Sequence, residues 1–137
     1  MKHAKFSPSA AHRWLVCPGS VKRSEGMASI QTEAAKTGTA AHWLFETNSQ
    51  STVSPEGVEI SEEMRRHIQT AKAEMFKHVL GAKLFSEYHL PVWRVLQLDK
   101  LLVFGTADVV ALDDDRAWVI DLKYGKHSVN PDETPQI

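Results

Sequence analysis

Cysteine is nearly absent from this chain of 137 residues, which contains only Cys17. One cysteine forms no disulfide within the chain and cannot supply the four thiolates that hold an iron–sulfur cluster. The sequence also lacks a secretory signal and any apolar run long enough to span a bilayer. We therefore expect a buried, unligated thiol at Cys17, no iron–sulfur cluster and no membrane partner.

The chain also has almost no excess of charge of either sign, since its formal net charge is −1 at pH 7. The whole chain therefore offers no strongly basic field for nucleic acid. The charges are unevenly spread, because residues 1–36 carry six basic and two acidic side chains. This segment is either an ordinary solvated surface or a phosphate-contacting one. The candidate nucleic-acid-binding residues are Lys2, Lys5, Arg13, Lys22 and Arg23, together with Lys126.

No internal repeat, heptad array, glycine-rich phosphate loop or zinc-type spacing of cysteine and histidine occurs. The length and the 42% hydrophobic content are typical of one core, so we expect a single domain over residues 1–137. Helix-capping and helix-breaking residues, together with periodicity, predict a short helix from Ser7 to Cys17. They predict a second helix over Glu33–Thr47, interrupted at Gly38. The spacing of apolar residues from Ser61 predicts a long amphipathic helix that ends before Gly81.

The second half of the chain is rich in strand signals. Leu84–Val92, Trp93–Leu98 and Leu101–Leu112 have strand-like composition, and Asp113–Arg116 is typical of a tight turn. Trp118–Lys123 then predicts a strand that folds back on the preceding one. Helices followed by strands indicate an α/β (α+β) fold, with N-terminal helices packed on a central mixed β-sheet.

Two carboxylates and one amine stand out in these last strands. Gly105-Thr106-Ala107-Asp108 is followed, thirteen residues after the aspartate, by Asp121-Leu122-Lys123. Because side chains alternate across a strand, Asp121 and Lys123 are expected on one face and Leu122 on the other. A hairpin between the two strands brings Asp108 and Asp121 together.

Converging carboxylates can hold Mg²⁺, and such an ion activates water and neutralises phosphate charge. Lys123 could orient that water, withdraw its proton or stabilise the transition-state charge, and the residues alone leave these roles open. The plainer alternative is a local hydrogen bond at Asp108 and a solvated pair of Asp121 and Lys123 at a sheet edge. The spacing favours a metal-dependent phosphodiesterase, and hence a nuclease.

The chain resembles the RecB-like branch of the PD-(D/E)XK nucleases, in particular a phage-associated group similar to the nucleases of CRISPR adaptation. The resemblance covers nearly the whole sequence. Its motifs are Phe6–Ser9, Trp14–Pro18, Gly38–His42, Gly105–Asp108 and Asp121–Lys126.

This resemblance implies a restriction-endonuclease-like core and metal-dependent cleavage of DNA, in the cytoplasm of a bacterial or phage-infected cell. It implies that His42, Asp108, Asp121 and the carbonyl of Leu122 ligate Mg²⁺ or Mn²⁺, and that Lys123 is the catalytic lysine. Imidazole ligation favours Mn²⁺ over Mg²⁺. The resemblance also makes Glu87 a candidate accessory carboxylate. The simpler alternative is that Glu87 is an ordinary surface glutamate.

One part of the family pattern is shortened. The resemblance leads us to expect a Gln-x-x-x-Tyr helix after Pro135, yet the sequence ends at Ile137 with only Gln136 of that motif. We therefore expect a nuclease domain that is incomplete at its C-terminus, with a second copy or a partner chain covering the sheet edge. The alternative function is a non-catalytic relative that binds DNA or regulates a nuclease.

Overall fold

The computed structural model describes residues 4–27, 31–97, 99 and 102–125, which form an α+β fold of helices and a small antiparallel sheet. A 3₁₀ turn at Pro8–Ala10 leads into two short helices, and two longer helices precede the strands. The helices are α1 (Ala11–Trp14), α2 (Gly19–Arg23), α3 (Glu33–Thr47), α4 (Glu62–His78) and α5 (Val92–Leu96). The strands are β1 (Lys83–Leu90), β2 (Gly105–Leu112) and β3 (Ala117–Ile120), in the order β1-β2-β3.

Helix α3 occupies the predicted range without the expected interruption at Gly38. The Thr32 side chain accepts a hydrogen bond from the Ala35 amide at the start, and Asn48 ends the helix with a φ of 52°. A mid-helix glycine costs about 1 kcal/mol relative to alanine. The buried face, which includes Leu44 and Phe45, offsets that cost by packing into the core.

Helix α4 confirms the amphipathic prediction. The Ser61 hydroxyl accepts from the Met64 amide at the N-terminus, and Met64 and Ile68 are buried. Acidic residues lie in the first turn and basic residues in the last, the arrangement that the helix dipole favours. Phe76, on the same helix, is 49% exposed.

Strands β2 and β3 form the predicted antiparallel hairpin, in which Val109 pairs with Ile120 and Leu112 with Ala117. The Asp113 carboxylate closes the turn by accepting from the amides of Asp115 and Arg116. Strand β3 ends at Ile120, so the Asp-Leu-Lys run follows the strand rather than lying within it. The described sheet is antiparallel, not mixed as expected.

The predicted strand at Trp93–Leu98 is wrong, because Val92–Leu96 form helix α5. Pro91 has no amide hydrogen and a restricted φ, which suits the start of a helical turn. Its carbonyl accepts from the Arg94 amide at 3.0 Å. Leu98 lies outside the described residues.

The chain divides into two compact units. The first contains described residues 4–27, 89–97, 99 and 102–107, and the second contains 31–88 and 108–125. The second unit holds the principal core, built from α3, α4 and the hairpin. Its buried members are Ala40, Ala41, Leu44, Phe45, Ile60, Met64, Ile68 and Val109.

In the first unit, the indole of Trp14 fixes the short helices to the segment that precedes them. Its Nε1–H donates to the Ser7 carbonyl at 2.8 Å, and its ring meets Phe6 edge to face. Ala11 and Val21 are the buried residues of α1 and α2. Cys17 lies at the turn between these helices and is exposed, so the expected burial of its thiol is wrong.

Among the residues that the structure describes, no helix is both long and apolar enough to cross a membrane.

Candidate functional site

Asp108 lies at the centre of a polar cluster in the second unit. The register that pairs Val109 with Ile120 places Asp108 opposite Asp121 at the next position of the hairpin. The backbone has left the strand there, and the Leu122 amide donates to Asp108 Oδ2 at 2.5 Å. The segment after β3 therefore meets β2 at Asp108, as predicted. The Asp108 side chain accepts the hydrogen bond from the Leu122 amide in place of a backbone carbonyl of the sheet.

His42 reaches the same carboxylate from helix α3. Its Nδ1–H donates to Asp108 Oδ1 at 3.1 Å, across 66 positions of sequence. The buried neighbours Ala41, Leu44 and Phe45 fix the rotation of the helix, which leaves His42 at the edge of the core. The His42 side chain is 36% exposed and that of Asp108 15%, so the pair lies at the border of solvent.

Asp121 and Lys123 form an ion pair, with 2.5 Å between Lys123 Nζ and Asp121 Oδ2. Between them, Leu122 packs with Ile120 and Tyr124 against the hydrophobic core. This alternation confirms that the acidic and basic side chains share one face while the apolar ones share the other. Lys123 is 38% exposed, so its amine is accessible to a bound molecule.

The raised pKa of His42 reflects this acidic surrounding. The hydrogen bond to Asp108 is the largest cause, and burial opposes it by disfavouring the charged ring. The charges of Asp108 and Asp121 raise the pKa further, while that of Lys123 lowers it. The imidazolium form of His42 is thus favoured over that of a free histidine.

Two glutamates extend the electrostatic neighbourhood of the cluster. Burial raises the pKa of Glu87, and the negative charges of Glu46 and Asp108 add to the effect, while His42 opposes it. Glu87 also has a φ of 48°, in the left-handed region that a non-glycine residue rarely adopts. Glu46 was not among the predicted site residues, although it follows His42 by four residues on α3 and therefore shares its helical face.

A cation would find part of a ligand set here. Octahedral Mg²⁺ with bonds of about 2.1 Å keeps neighbouring ligand atoms about 3.0 Å apart. His42 Nδ1 and Asp108 Oδ1 are 3.1 Å apart because they share a hydrogen bond, and both atoms would have to turn toward an ion to ligate it. Within the described part of the chain, no group of three His, Cys, Asp or Glu residues has a metal-holding arrangement. The predicted ligand set of His42, Asp108, Asp121 and the Leu122 carbonyl therefore stays a prediction.

Four of the predicted phosphate-contacting residues lie in the described part of the N-terminal segment, far from this cluster in sequence. Lys5 pairs with Glu25, and the charge of Lys22 also lowers the pKa of that glutamate. Arg13, Lys22 and Arg23 are exposed on the short helices. Three further predicted residues lie outside the described residues: Lys2, Lys126 and the accessory candidate Gln136.

A family model described as "Protein of unknown function (DUF2800)" matches residues 3–137. No solved structure matches the chain.

Proposed function

We propose that this chain, which belongs to the DUF2800 family, is a metal-dependent deoxyribonuclease with a restriction-endonuclease-like core. The observation that carries the proposal is the double contact of Asp108 with His42 and with the Leu122 amide. That contact gathers a helix, a strand and the Asp121-Leu122-Lys123 run around one carboxylate. An imidazole, carboxylates and an amine are groups that can hold a metal ion and assist phosphodiester hydrolysis.

The proposed ligands of a Mg²⁺ or Mn²⁺ ion are His42, Asp108, Asp121 and the Leu122 carbonyl. Such an ion supplies an activated water and neutralises charge on the phosphate. Binding it requires the loss of a proton from the His42 ring and the release of Asp121 from Lys123. Both changes are local, because His42 and Lys123 already have exposed edges.

Lys123 then acts on the substrate. In hydrolysis a water oxygen bonds to phosphorus and the bond from phosphorus to one sugar oxygen breaks. The Lys123 amine lies on the same face as Asp121, two residues away, so it reaches the same phosphate. It orients the water, accepts its proton or stabilises charge on the phosphate oxygens.

The test is cleavage of labelled single- and double-stranded DNA in Mg²⁺ and in Mn²⁺, with a chelator control. We expect metal-dependent cutting that is abolished in Lys123→Ala and Asp121→Asn. Lys83→Ala and Asp114→Asn are the matched controls, since each changes an exposed residue of the same type elsewhere. Full cutting by Lys123→Ala would contradict the proposed mechanism.

A second candidate function is a non-catalytic relative that binds DNA or regulates a nuclease. The observation in its favour is the mutual charge compensation of the cluster, in which His42 faces Asp108 and Lys123 faces Asp121. Folded protein that binds DNA but cuts in neither metal, with binding unaffected by Asp121→Asn, would support this alternative.

A further inference from the structure

Apolar side chains are exposed next to the two short helices α1 and α2. Leu15 is 58% exposed, Val16 85% and Met27 72%. Leu15 and Val16 occupy the turn directly after α1, and Met27 follows α2. Leu15 and Val16 are adjacent in the sequence, and exposed apolar side chains that lie together are typical of an interaction site.

Hydrogen bonds and an aromatic contact hold the backbone of this turn. Trp14, directly before Leu15, is held by its hydrogen bond to the Ser7 carbonyl and by its edge-to-face contact with Phe6. The Leu15 amide donates to the Ala11 carbonyl and the Cys17 amide to the Arg13 carbonyl, both at 2.9 Å. The two apolar side chains are therefore presented by an ordered backbone.

Positively charged side chains lie on the same two short helices. Arg13 comes before the turn, and Lys22 and Arg23 lie in the last turn of α2, all exposed. Glu25 is the acidic residue of segment 4–27, and Lys5 pairs with it. The segment has a formal charge of +3, and among the described residues Arg13, Lys22 and Arg23 take part in no ion pair.

A partner that suits this surface carries regularly spaced negative charge and offers apolar faces between the charges. Nucleic acid has both, since phosphates flank stacked bases. Side chains such as leucine and methionine insert between bases, while nearby Lys and Arg contact the phosphates. Opening the stack costs a few kcal/mol, and the cost is least where the bases are already unpaired.

We propose that Leu15 and Val16 form a wedge that recognises the junction between duplex and single-stranded DNA. The inference rests on the proposed function, and it adds the substrate class: DNA with a frayed end or a fork rather than continuous duplex.

The test compares the binding of a forked DNA with that of a duplex closed by hairpin loops at both ends, without divalent cations. The fork carries 2-aminopurine at the last base pair, whose fluorescence rises when its stacking is lost. We expect tighter binding of the fork and a rise in fluorescence. In Leu15→Ser/Val16→Ser the preference for the fork should fall by about tenfold, because apolar burial is lost.

Two further variants isolate the wedge from general electrostatics. Arg13→Gln/Lys22→Gln/Arg23→Gln should weaken the binding of both DNAs to a similar extent. Leu80→Ser, at a side chain that is 89% exposed in the second unit, is the matched control and should change neither. Thermal melting followed by circular dichroism verifies that each variant folds.

Several results would overturn the proposal. One is equal affinity of the wild type for the two DNAs, and another is an unchanged fork preference in Leu15→Ser/Val16→Ser. Wedge-dependent binding to vesicles of anionic lipid, without DNA binding, would assign the surface to a membrane. A dimer that the serine variant dissociates would assign it to a second copy. These binding measurements contain no divalent metal ion, so their outcome does not depend on whether the protein cleaves DNA. A negative result in the nuclease test would therefore leave the test of the wedge valid.

Discussion

At the scale of single residues, the contact between His42 and Asp108 makes a pH-dependent contribution to stability. The folded protein raises the pKa of His42 above its ordinary value of 6.5. The contribution is fully present below the pKa that His42 has in the unfolded chain. It is lost as the pH rises through the higher pKa that His42 has in the folded protein. Acidification within this range therefore strengthens the contact.

We expect His42→Gln to lower the unfolding free energy more at about pH 5.5 than at about pH 8.5, as this linkage requires. Urea denaturation at the two pH values measures the difference. His12→Gln is the control, because His12 is exposed on α1 and forms no ion pair among the described residues. A loss of stability in His42→Gln that is the same at both pH values would contradict the assignment.

Gly105 begins strand β2 where a side chain has little room. A Cβ atom at this position would lie 3.1 Å from Pro8 Cγ and 3.9 Å from Leu90 Cβ. Close approach of this kind explains why the Gly-Thr-Ala-Asp run begins with glycine.

We expect Gly105→Ala to destabilise the protein by about 1 kcal/mol, at the lower end of the cost of overpacking. Gly19→Ala is the matched control, since nothing lies within 4 Å of a Cβ added there. Chemical denaturation of both variants measures the effect. Equal stability of the two variants would show that Pro8 moves aside without cost.

At the scale of elements, the N-terminus of α4 depends on one hydroxyl. Ser61 Oγ accepts from the Met64 amide at 3.1 Å, next to the buried side chains that anchor the helix. Ser61→Ala should cost about 1 kcal/mol of unfolding free energy, as is usual for the loss of a serine N-cap. Thr70→Ala, on the exposed face of the same helix, should change stability by less. Urea midpoints of the two variants provide the comparison.

Long periodic patterns predicted the two long helices. In α3 and α4 the apolar residues repeat over several turns and the caps are local, so the ends of both helices were predicted to within a few residues, although the interruption expected at Gly38 is absent. Val92–Leu96 has only five residues of strand-like composition, and Pro91 directs them into a helix instead. Short segments of this kind are decided by their neighbours rather than by propensity.

The same contrast holds at the candidate site. The hairpin geometry placed Asp108 opposite Asp121, and strand alternation placed Lys123 beside Asp121. The contact of His42 with Asp108 joins positions 66 residues apart, and the family resemblance suggested it where periodicity alone did not. The hydrogen bond from the Leu122 amide was not foreseen, because it depends on β3 ending at Ile120.

At the scale of the whole molecule, the near-neutral net charge conceals a positive segment. If the three exposed cations Arg13, Lys22 and Arg23 each neutralise one phosphate, together they should contribute about −2.7 to the slope of the logarithm of the DNA association constant against the logarithm of salt concentration. Fluorescence anisotropy over a salt series measures this slope. The triple glutamine variant should remove that contribution, and an unchanged slope would show that other residues contact the phosphates.

The hydrogen bond between the Leu122 amide and Asp108 has a consequence for spectroscopy. A short bond to a carboxylate shifts an amide proton downfield and protects it from exchange with solvent. The Leu122 resonance is therefore a built-in reporter of the state of Asp108. One peak in a nitrogen–proton correlation spectrum follows whether that carboxylate still faces its own backbone or has turned to another ligand.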